Sequence, residues 1–436
     1  MKFWTKPLFI VLAISVSILV PATIGHSAGS RGMEFPPTKQ GVFKEVENLV
    51  GEQKYQAALN QIEGEIGKGK QIGLEQARLL IKRTQLQLGL HGYETALLAL
   101  RQTKWPTGVE AQALLKIYYV HALREYVDGY GYEIRQREVV DAGPDLDLKK
   151  WSLERINQEI EDQLWELWKG RANWGVTEIS AAQEFISVNN YPKSVRGTLR
   201  DFLTYFWVDY LKNSSFWSPQ ESNEVHRINL ASEVKSGSVQ FTSQKRWRDI
   251  HPLARAARIL KDLEKWHRES KRPEASLEAQ LVRFQIFLSQ YTEAGSRRQL
   301  LMKSLRQAVL SAPQVPWKAK GFYDLAQARS QEKDPEALIE ARRWAKQGIA
   351  VGSGTQGASL CNYLVQTLEA PQLSVQGMLN DGVGKQSLKV SYKNLTKAYF
   401  RAYPIDLERT ATAEKDYNFF PNLRQIQDHM AKNKAA

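Results

Sequence analysis

The segment Leu388-Lys389-Val390-Ser391-Tyr392-Lys393 decides the fold class, because the spacing of apolar residues changes there. Apolar and polar residues alternate one by one in this segment, which is typical of a half-buried β-strand. From Val42 to Pro371 the apolar residues recur instead at every third or fourth position, as on one face of a helix. We therefore predict a mainly α fold, a tetratricopeptide-like helical-repeat array that ends in a short C-terminal antiparallel β segment.

The β segment is predicted to extend from Leu373 to about Leu407. Asp381-Gly382 is a turn sequence within it, and Tyr399-Phe400-Arg401-Ala402-Tyr403 continues the strand-like composition. A β-sandwich of the immunoglobulin type needs about seven strands and about 100 residues. The two or three strands predicted here are therefore an incomplete sandwich.

Two early segments share a helical pattern in which an aromatic residue precedes a small residue and two large apolar ones. The first is Tyr55, Ala58, Leu59 and Ile62, and the second, 38 positions later, is Tyr93, Ala96, Leu97 and Leu100. This pattern is typical of tetratricopeptide-like hairpins, whose usual period is about 34 residues. A third hairpin is predicted over 318–351, with an N-cap at Asp334-Pro335. Its apolar stripes are Phe322, Leu325, Ala328, Ala337, Ala341 and Trp344.

Longer helices are predicted in the middle of the chain. Apolar residues three or four positions apart form one stripe at Leu153, Ile156, Ile160, Leu164 and Leu167. Gly170 follows the stripe as a predicted C-cap. Ser218-Pro219-Gln220-Glu221 combines a capping box with proline at the first helical position, so it predicts a helix start. Residues 231–245 are rich in Ser, Lys and Gln and are predicted to form a loop.

These patterns predict the following domain organisation. The segments are a signal peptide at 1–28, a linker at 29–40, an N-terminal helical-repeat block at 41–230, a loop at 231–245, a second helical block at 246–370, the start of a β domain at 371–410 and a polar tail at 411–436.

The first residues are typical of a bacterial secretion signal. Lys2 and Lys6 precede an uncharged run over 7–25, and small residues follow through Ala28. Cleavage is predicted near Ala28, with a competing site at Gly25. The alternative is an uncleaved anchor, which would be the chain's only contact with a membrane. The sequence therefore predicts a periplasmic or secreted protein.

The chain carries 60 basic and 47 acidic residues, for a formal net charge of +13. The densest basic stretch, 244–273, contains Trp247 and Trp266. Basic patches with aromatic residues can bind nucleic acid, but this stretch also has a regular apolar helix stripe at Leu253, Ala256, Leu260 and Leu263. We therefore expect its charges to be solvated and expect no nucleic-acid partner. The single cysteine excludes an intramolecular disulfide.

Gly352, Gly354 and Gly357 have the spacing of a dinucleotide-binding loop. That loop needs a strand before it, whereas a helical pattern precedes these glycines. They are predicted to end one helix, with Ser353 or Thr355 as the N-cap of the next.

No catalytic, cofactor-binding or metal-binding residue is predicted, and we expect the protein not to be an enzyme. Glu264 and His267 have the spacing of a di-iron motif but lack a second such pair, so a solvated helix face is the preferred interpretation. A hydrolase would require a pair of acidic residues, and Glu159 and Glu166 are seven positions apart on one predicted helix. A solvated helix face is the preferred interpretation for them as well. Cys361 lies on an apolar stripe and is expected to be buried. Core packing is expected for Trp151, Trp165, Trp168, Trp207 and Trp217.

Several short motifs between residues 40 and 420 carry a family resemblance. They are Asn189-Asn190-Tyr191-Pro192, Arg196-Gly197-Thr198-Leu199-Arg200-Asp201, Trp217-Ser218-Pro219-Gln220-Glu221-Ser222-Asn223, His251-Pro252-Leu253, Leu263-Glu264-Lys265-Trp266-His267 and Arg272-Pro273-Glu274-Ala275. Together they resemble the helical amino-terminal region of large bacterial alpha-2-macroglobulin-like proteins. Gly357-Ala358-Ser359-Leu360-Cys361 and Val390-Ser391-Tyr392-Lys393-Asn394-Leu395 resemble the passage from the last helix into the first macroglobulin domain.

The resemblance implies a secreted scaffold and protein-interaction module of a proteinase-trapping family. Members often trap proteinases through a thioester in a Cys-x-Glu-Gln sequence, whereas Cys361-Asn362-Tyr363-Leu364 lacks the Glu and the Gln. The chain also lacks a bait region, so it is expected not to inhibit by itself. Its expected partner is a protein, either a proteinase or the remaining macroglobulin domains. The alternative is a free-standing periplasmic adaptor that binds a peptide or an envelope protein.

Overall fold

The structure is a computed structural model, and it describes residues 41–137, 147–175, 177–183, 185–186, 190–241, 243–377, 387–400 and 423–432. The predicted signal peptide, the linker and the turn at Asp381-Gly382 lie outside the described residues. Most of the described residues are helical, which confirms the mainly α fold class.

The first helices form a run of sequence neighbours that pack on one another. They are α1 (Val42–Gly51), α2 (Tyr55–Gly67), α3 (Gly73–Gly89), α4 (Tyr93–Gln102), α5 (Val109–Arg135) and α6 (Leu153–Lys169). The repeated apolar residues are buried between them, namely Ala58, Leu59 and Ile62 on α2 and Ala96, Leu97 and Leu100 on α4. Both matching patterns therefore lie on helices and bury their apolar residues, one on α2 and the other on α4.

The middle of the chain alternates short and long helices. They are α7 (Arg171–Trp174), α8 (Lys193–Arg196), α9 (Leu199–Lys212), α10 (Pro219–Glu224), α11 (Leu230–Glu233), α12 (Gln244–Arg248) and α13 (Pro252–Glu269). Short 3₁₀ turns lie at Leu148–Lys150, Ile179–Ala182, Ser214–Phe216 and Val225–Arg227.

The last part contains five long helices, a two-stranded sheet and one further helix. These elements are α14 (Pro273–Leu288), α15 (Ser296–Ser311), α16 (Lys318–Ser330), α17 (Ala337–Val351), α18 (Gln356–Glu369), β1 (Gln372–Gly377), β2 (Leu388–Lys393) and α19 (Leu423–Lys432). The helix α19 falls in the segment predicted as a polar tail.

Local sequence accounts for several helix ends. Ser152 accepts a hydrogen bond from the Arg155 backbone N–H at the start of α6, and Gly170 is its C-cap as predicted. The predicted capping box before α10 is confirmed, because Ser218 and Glu221 each accept from the other's backbone N–H. The predicted N-cap Asp334 is wrong: its Oδ1 accepts from the Glu336 N–H in a turn, and α17 begins only at Ala337.

The described residues fall into two compact units, one ending at Leu364 and the other beginning at Val365. In the first unit α13 packs on both α9 and α14, and α16 packs on α17. The segment 231–245 contains the end of α11, irregular chain at 234–241 and the start of α12. The helices α9 and α13, which lie on either side of this segment in the sequence, are in direct contact.

The second unit contains the sheet. The strands β1 and β2 pair antiparallel, with Leu373 opposite Tyr392 and Val375 opposite Val390. This confirms the strand predicted from the alternating segment and supplies its partner. The expected strand-like continuation at Tyr399 and Phe400 is irregular chain, and the rest of it lies outside the described residues.

Candidate functional site

One face of the two-stranded sheet is entirely apolar and exposed. Because side chains alternate across a strand, the register places five apolar side chains together. We call them the apolar sheet face: Leu373, Val375, Leu388, Val390 and Tyr392. Their exposed fractions range from 38% for Val390 to 69% for Tyr392. The prediction of a half-buried strand was therefore wrong for the described residues, because no described residue covers this face.

The opposite face of the sheet is polar throughout. It carries Gln372, Ser374, Gln376, Lys389, Ser391 and Lys393. A sheet with one apolar and one polar face is the arrangement that packs its apolar side against another layer of protein. Exposed apolar patches rimmed by polar residues mark interaction sites.

The end of β2 is attached to the end of α18. The Lys393 Nζ donates to the Thr367 carbonyl oxygen at 3.0 Å. The Asn394 side-chain amide donates to the carbonyl oxygens of Leu368 at 2.7 Å and Ala370 at 3.3 Å. Asn394 has φ 56°, a left-handed conformation that asparagine tolerates better than most residues. These contacts hold the sheet at the carbonyl end of a helix.

A second candidate is a cleft of about 1330 Å³ in the first unit, lined by both polar and apolar residues. It lies between α6, α10 and the start of α13, and we call it the interhelix cleft. Its floor includes Arg255, whose side chain is 4% exposed and whose Nη1 lies 2.5 and 2.6 Å from the two carboxylate oxygens of Glu161. Glu154, Gln158 and Ser214 line it and are exposed. The cleft combines charges of both signs and hydrogen-bonding groups with apolar side chains such as Phe216 and Trp217. A peptide presents all three kinds of group.

Two of the short motifs, at residues 189–192 and 196–201, take part in a largely buried cluster. Arg196 pairs with Glu278, and its guanidinium carbon lies 3.8 Å from the ring centroids of both Tyr191 and Tyr205. Glu278 also accepts from the Trp317 indole N–H at 2.8 Å. Burial raises the pKa of the Tyr205 hydroxyl well above its ordinary value. This cluster ties α8, α9 and α14 together.

Glu264 and His267 do not lie on a solvated helix face, so that expectation was wrong. They are 3% and 0% exposed. His267 Nε2 lies 2.7 Å from Asp201 Oδ1, and Glu264 accepts from Arg283 Nη2 at 2.7 Å. The charges of this helix were expected to be solvated, yet Arg255 and Lys261 are also buried, next to the apolar stripe. Arg255, Lys261 and Glu264 each have an ionic partner on another helix, which offsets the cost of burying their charges. His267 has a hydrogen-bond partner on another helix.

The glycines near residue 350 allow helices to approach closely. A Cβ on Gly352 would lie 2.5 Å from the Ala319 Cβ, and one on Gly357 would lie 2.5 Å from the Lys320 backbone N. As predicted, Gly352 and Gly354 follow a helix, whereas Gly357 lies within the first turn of α18. Thr355 Oγ1 accepts from the Ala358 N–H at the start of α18. Their role is therefore to let α16, α17 and α18 pack together.

Cys361 is fully buried, as expected, and lies in this same contact. Its Sγ is 3.5 Å from the Ala319 carbonyl oxygen, and burial raises the pKa of the thiol to about 12. A thiol with such a pKa is a poor nucleophile at neutral pH.

The tryptophans that could have lined a groove are packed in the core instead, as expected. Trp165, Trp168, Trp207 and Trp247 form one aromatic cluster with ring centroids about 6 Å apart. Trp151 and Trp217 are also buried.

Of the acidic pair, Glu166 is solvated as expected, whereas the expectation was wrong for Glu159, whose side chain is only 15% exposed. Glu159 lies 3.7 Å from Arg155, and Glu166 lies 2.7 Å from Lys169, so each carboxylate pairs with a basic residue of α6.

Among the described residues, no group of three or more His, Cys, Asp or Glu side chains could hold a metal ion. Within that same part of the chain no helix is long and apolar enough to cross a membrane.

Comparisons with protein-family models, with curated proteins and with solved structures found no match for this chain.

Proposed function

We propose that this chain is a non-enzymatic helical scaffold that binds protein through the apolar sheet face. The observation that carries the proposal is the exposure of all five apolar side chains on one side of a sheet. A two-stranded sheet is marginally stable alone, and a third strand or a packed layer makes it stable. Binding at this face therefore supplies the cover that the sheet needs.

The anchoring at Asn394 supports the same proposal. A flexible hairpin would lose conformational entropy on binding, which weakens affinity. The hydrogen bonds from Lys393 and Asn394 to the end of α18 hold the strands in place beforehand. A pre-organised face loses less entropy when a partner binds.

We further propose that the protein belongs with the helical regions of bacterial alpha-2-macroglobulin-like proteins and that it is periplasmic or secreted. The support is the set of motifs that resemble that family and the signal-like start of the sequence. In this proposal, the sheet is the first part of a macroglobulin domain, and the partner is either the remaining macroglobulin domains or a proteinase. An antibody against the helices, applied to envelope extracts on a denaturing gel, tests it. A band several times larger than 49.8 kDa supports it, and a single band near that mass counts against it.

Site-specific photo-cross-linking tests the binding face itself. A photoreactive side chain is introduced at Val390 on the apolar face or, as the matched control, at Ser391 on the polar face. The adjacent positions point in opposite directions. We expect a defined adduct from position 390 and little from 391, and mass spectrometry tells whether it joins one polypeptide or two. Equal adducts from both positions, or none from either, would contradict the proposal.

A second candidate function, a peptide-binding adaptor, is favoured by one observation, the size and mixed polar and apolar lining of the interhelix cleft. Glu154→Trp would narrow the cleft, and Glu166→Trp on the same helix provides an exposed control that does not line it. Peptides selected from a library on the wild-type chain should lose binding to the first variant and retain it with the second. Peptides that bind both variants alike would rule the cleft out as their site.

A further inference from the structure

We propose that the free edge of β2 binds an extended protein segment in which apolar and acidic residues alternate. This inference rests on the proposed function. It adds which edge of the sheet is used and what side-chain chemistry the partner has.

Each strand has one free edge in the part of the chain that the structure describes, since the sheet contains only two strands there. The backbone N–H and C=O groups at such an edge bind an incoming strand through main-chain hydrogen bonds. Main-chain bonds alone do not distinguish β1 from β2. The side chains beside each edge do.

The two edges differ in charge. On the polar face β2 carries Lys389 and Lys393, whereas the same face of β1 carries only uncharged residues. From Ser387 to Phe400 the chain has three lysines and no acidic residue. Oppositely charged side chains on neighbouring strands stabilise pairing, and like charges destabilise it. An acidic segment therefore pairs preferentially with β2.

The apolar sheet face determines which residues suit the alternate positions of the bound segment. Side chains of an added strand point alternately to the two faces. Every second side chain of the bound segment therefore lies on the apolar side of the sheet, beside Leu388, Val390 and Tyr392. These side chains extend the apolar sheet face. Apolar residues at these positions gain contacts with it, so the segment that fits has an apolar-acidic alternation.

A second copy of this chain is a poor occupant of the same edge. Two β2 strands that paired antiparallel about Ser391 would place Lys389 of one copy opposite Lys393 of the other.

Peptide binding to the full chain tests the proposal. The probes are a ten-residue peptide that alternates Val and Glu and its counterpart with Lys in place of Glu, both measured by fluorescence anisotropy. We expect the Glu peptide to bind about tenfold more tightly. Lys389→Glu should remove or reverse this preference. Lys303→Glu, an exposed position on α15 with the same charge change, should leave it intact.

Hydrogen exchange identifies the edge. The Glu peptide should protect amides of 388–393 more than those of 372–377. Equal binding of the two peptides, no binding of either, or protection confined to β1 would overturn the inference. Circular dichroism checks that the Lys389→Glu variant is folded. Lys389→Gln removes the positive charge without adding a negative one, so its peptide preference should lie between those of the wild type and Lys389→Glu.

Two outcomes distinguish this inference from the proposed function and from occupation of the edge by the chain itself. If the peptides bind equally but Val390→Asp abolishes binding, the charge preference is wrong while the proposed binding face remains. The chain itself contains an apolar-acidic alternation at Ile405-Asp406-Leu407-Glu408. Tighter peptide binding by an Asp406→Lys, Glu408→Lys double variant would mean that this segment already occupies the edge, which would overturn a partner as the occupant.

Discussion

His267 Nε2 lies 2.7 Å from Asp201 Oδ1, and both side chains are at most 1% exposed. The contact joins α13 to α9 across 66 positions of sequence. Asp201 also accepts from the Thr198 backbone N–H at 2.9 Å, so one carboxylate caps α9 and binds the imidazole. Two of the short sequence motifs, one ending at Asp201 and the other at His267, therefore meet in one buried contact.

Removing the imidazole should destabilise the protein strongly. His267→Ala removes a buried hydrogen bond to the Asp201 carboxylate and leaves a cavity, which together should lower the free energy of unfolding by about 2–5 kcal/mol. Urea titration followed by circular dichroism measures it. His226→Ala is the control, because His226 is exposed and its loss should cost under about 0.5 kcal/mol. Similar stabilities for the two variants would contradict a structural role for the pair.

Gly197 should tolerate no side chain. A Cβ there would lie 2.1 Å from the Lys193 carbonyl oxygen, a backbone atom that cannot move aside cheaply. We expect Gly197→Ala to lower the free energy of unfolding by about 1–3 kcal/mol or more. Gly64→Ala is the matched control, since a Cβ at this helical position meets nothing within 4 Å and should stabilise α2 by up to about 1 kcal/mol. A neutral effect at Gly197 would show that the close approach is not fixed.

His121 should make stability depend on pH. Burial, aided by the Arg124 charge, lowers the pKa of its imidazole from 6.5 to about 3. The folded chain therefore holds it neutral, and this stability is present above pH 6.5 and is lost as pH falls towards 3. Between pH 7 and 5 the loss is about 2 kcal/mol for this group.

The His121→Gln variant isolates that contribution. Glu125, whose Oε1 lies 3.8 Å from His121 Nδ1, has a pKa raised mainly by burial and acts in the opposite direction at low pH. Both chains keep this carboxylate, so the difference between their pH profiles belongs to the histidine. Parallel profiles of wild type and variant from pH 7 to 5 would refute the assignment.

The Cys361 thiol should report global unfolding. With a raised pKa and no exposed surface, it should react with a thiol reagent in the native state only as fast as the helices open. Reaction rates are measured against urea concentration, and Ser353→Cys in the exposed turn before α18 serves as a fast-reacting reference. Rapid native-state labelling of Cys361 would contradict the packing of α16 against α18.

Asn394 should control the order of the sheet. Asn394→Gly keeps the favourable backbone conformation but loses the hydrogen bonds to Leu368 and Ala370, while Asn394→Ala loses both. Amide exchange in 388–393 should therefore rise in the glycine variant and rise further in the alanine variant. Unchanged exchange in both would mean that the sheet is held by other contacts.

Local patterns predicted much of the fold. The apolar stripe of α6, its C-cap at Gly170 and the strand at 388–393 follow from spacing alone, because each depends on residues within a few positions. The buried charges could not be predicted in this way. Glu161 and Arg255 are 94 positions apart, and each taken alone has the properties of a solvated helix residue. The exposed apolar sheet face was missed for the opposite reason, since alternation indicates which residues share a face but not whether another layer covers it.

Long-range ion pairs also set an order of events during synthesis. Arg196 leaves the ribosome 82 residues before Glu278, and Glu161 leaves it 94 residues before Arg255. The helices from α1 to α4, which contact their sequence neighbours, can form as they emerge. The central helices can instead bury these charged side chains only after α14 has been synthesised, and until then the charges stay hydrated.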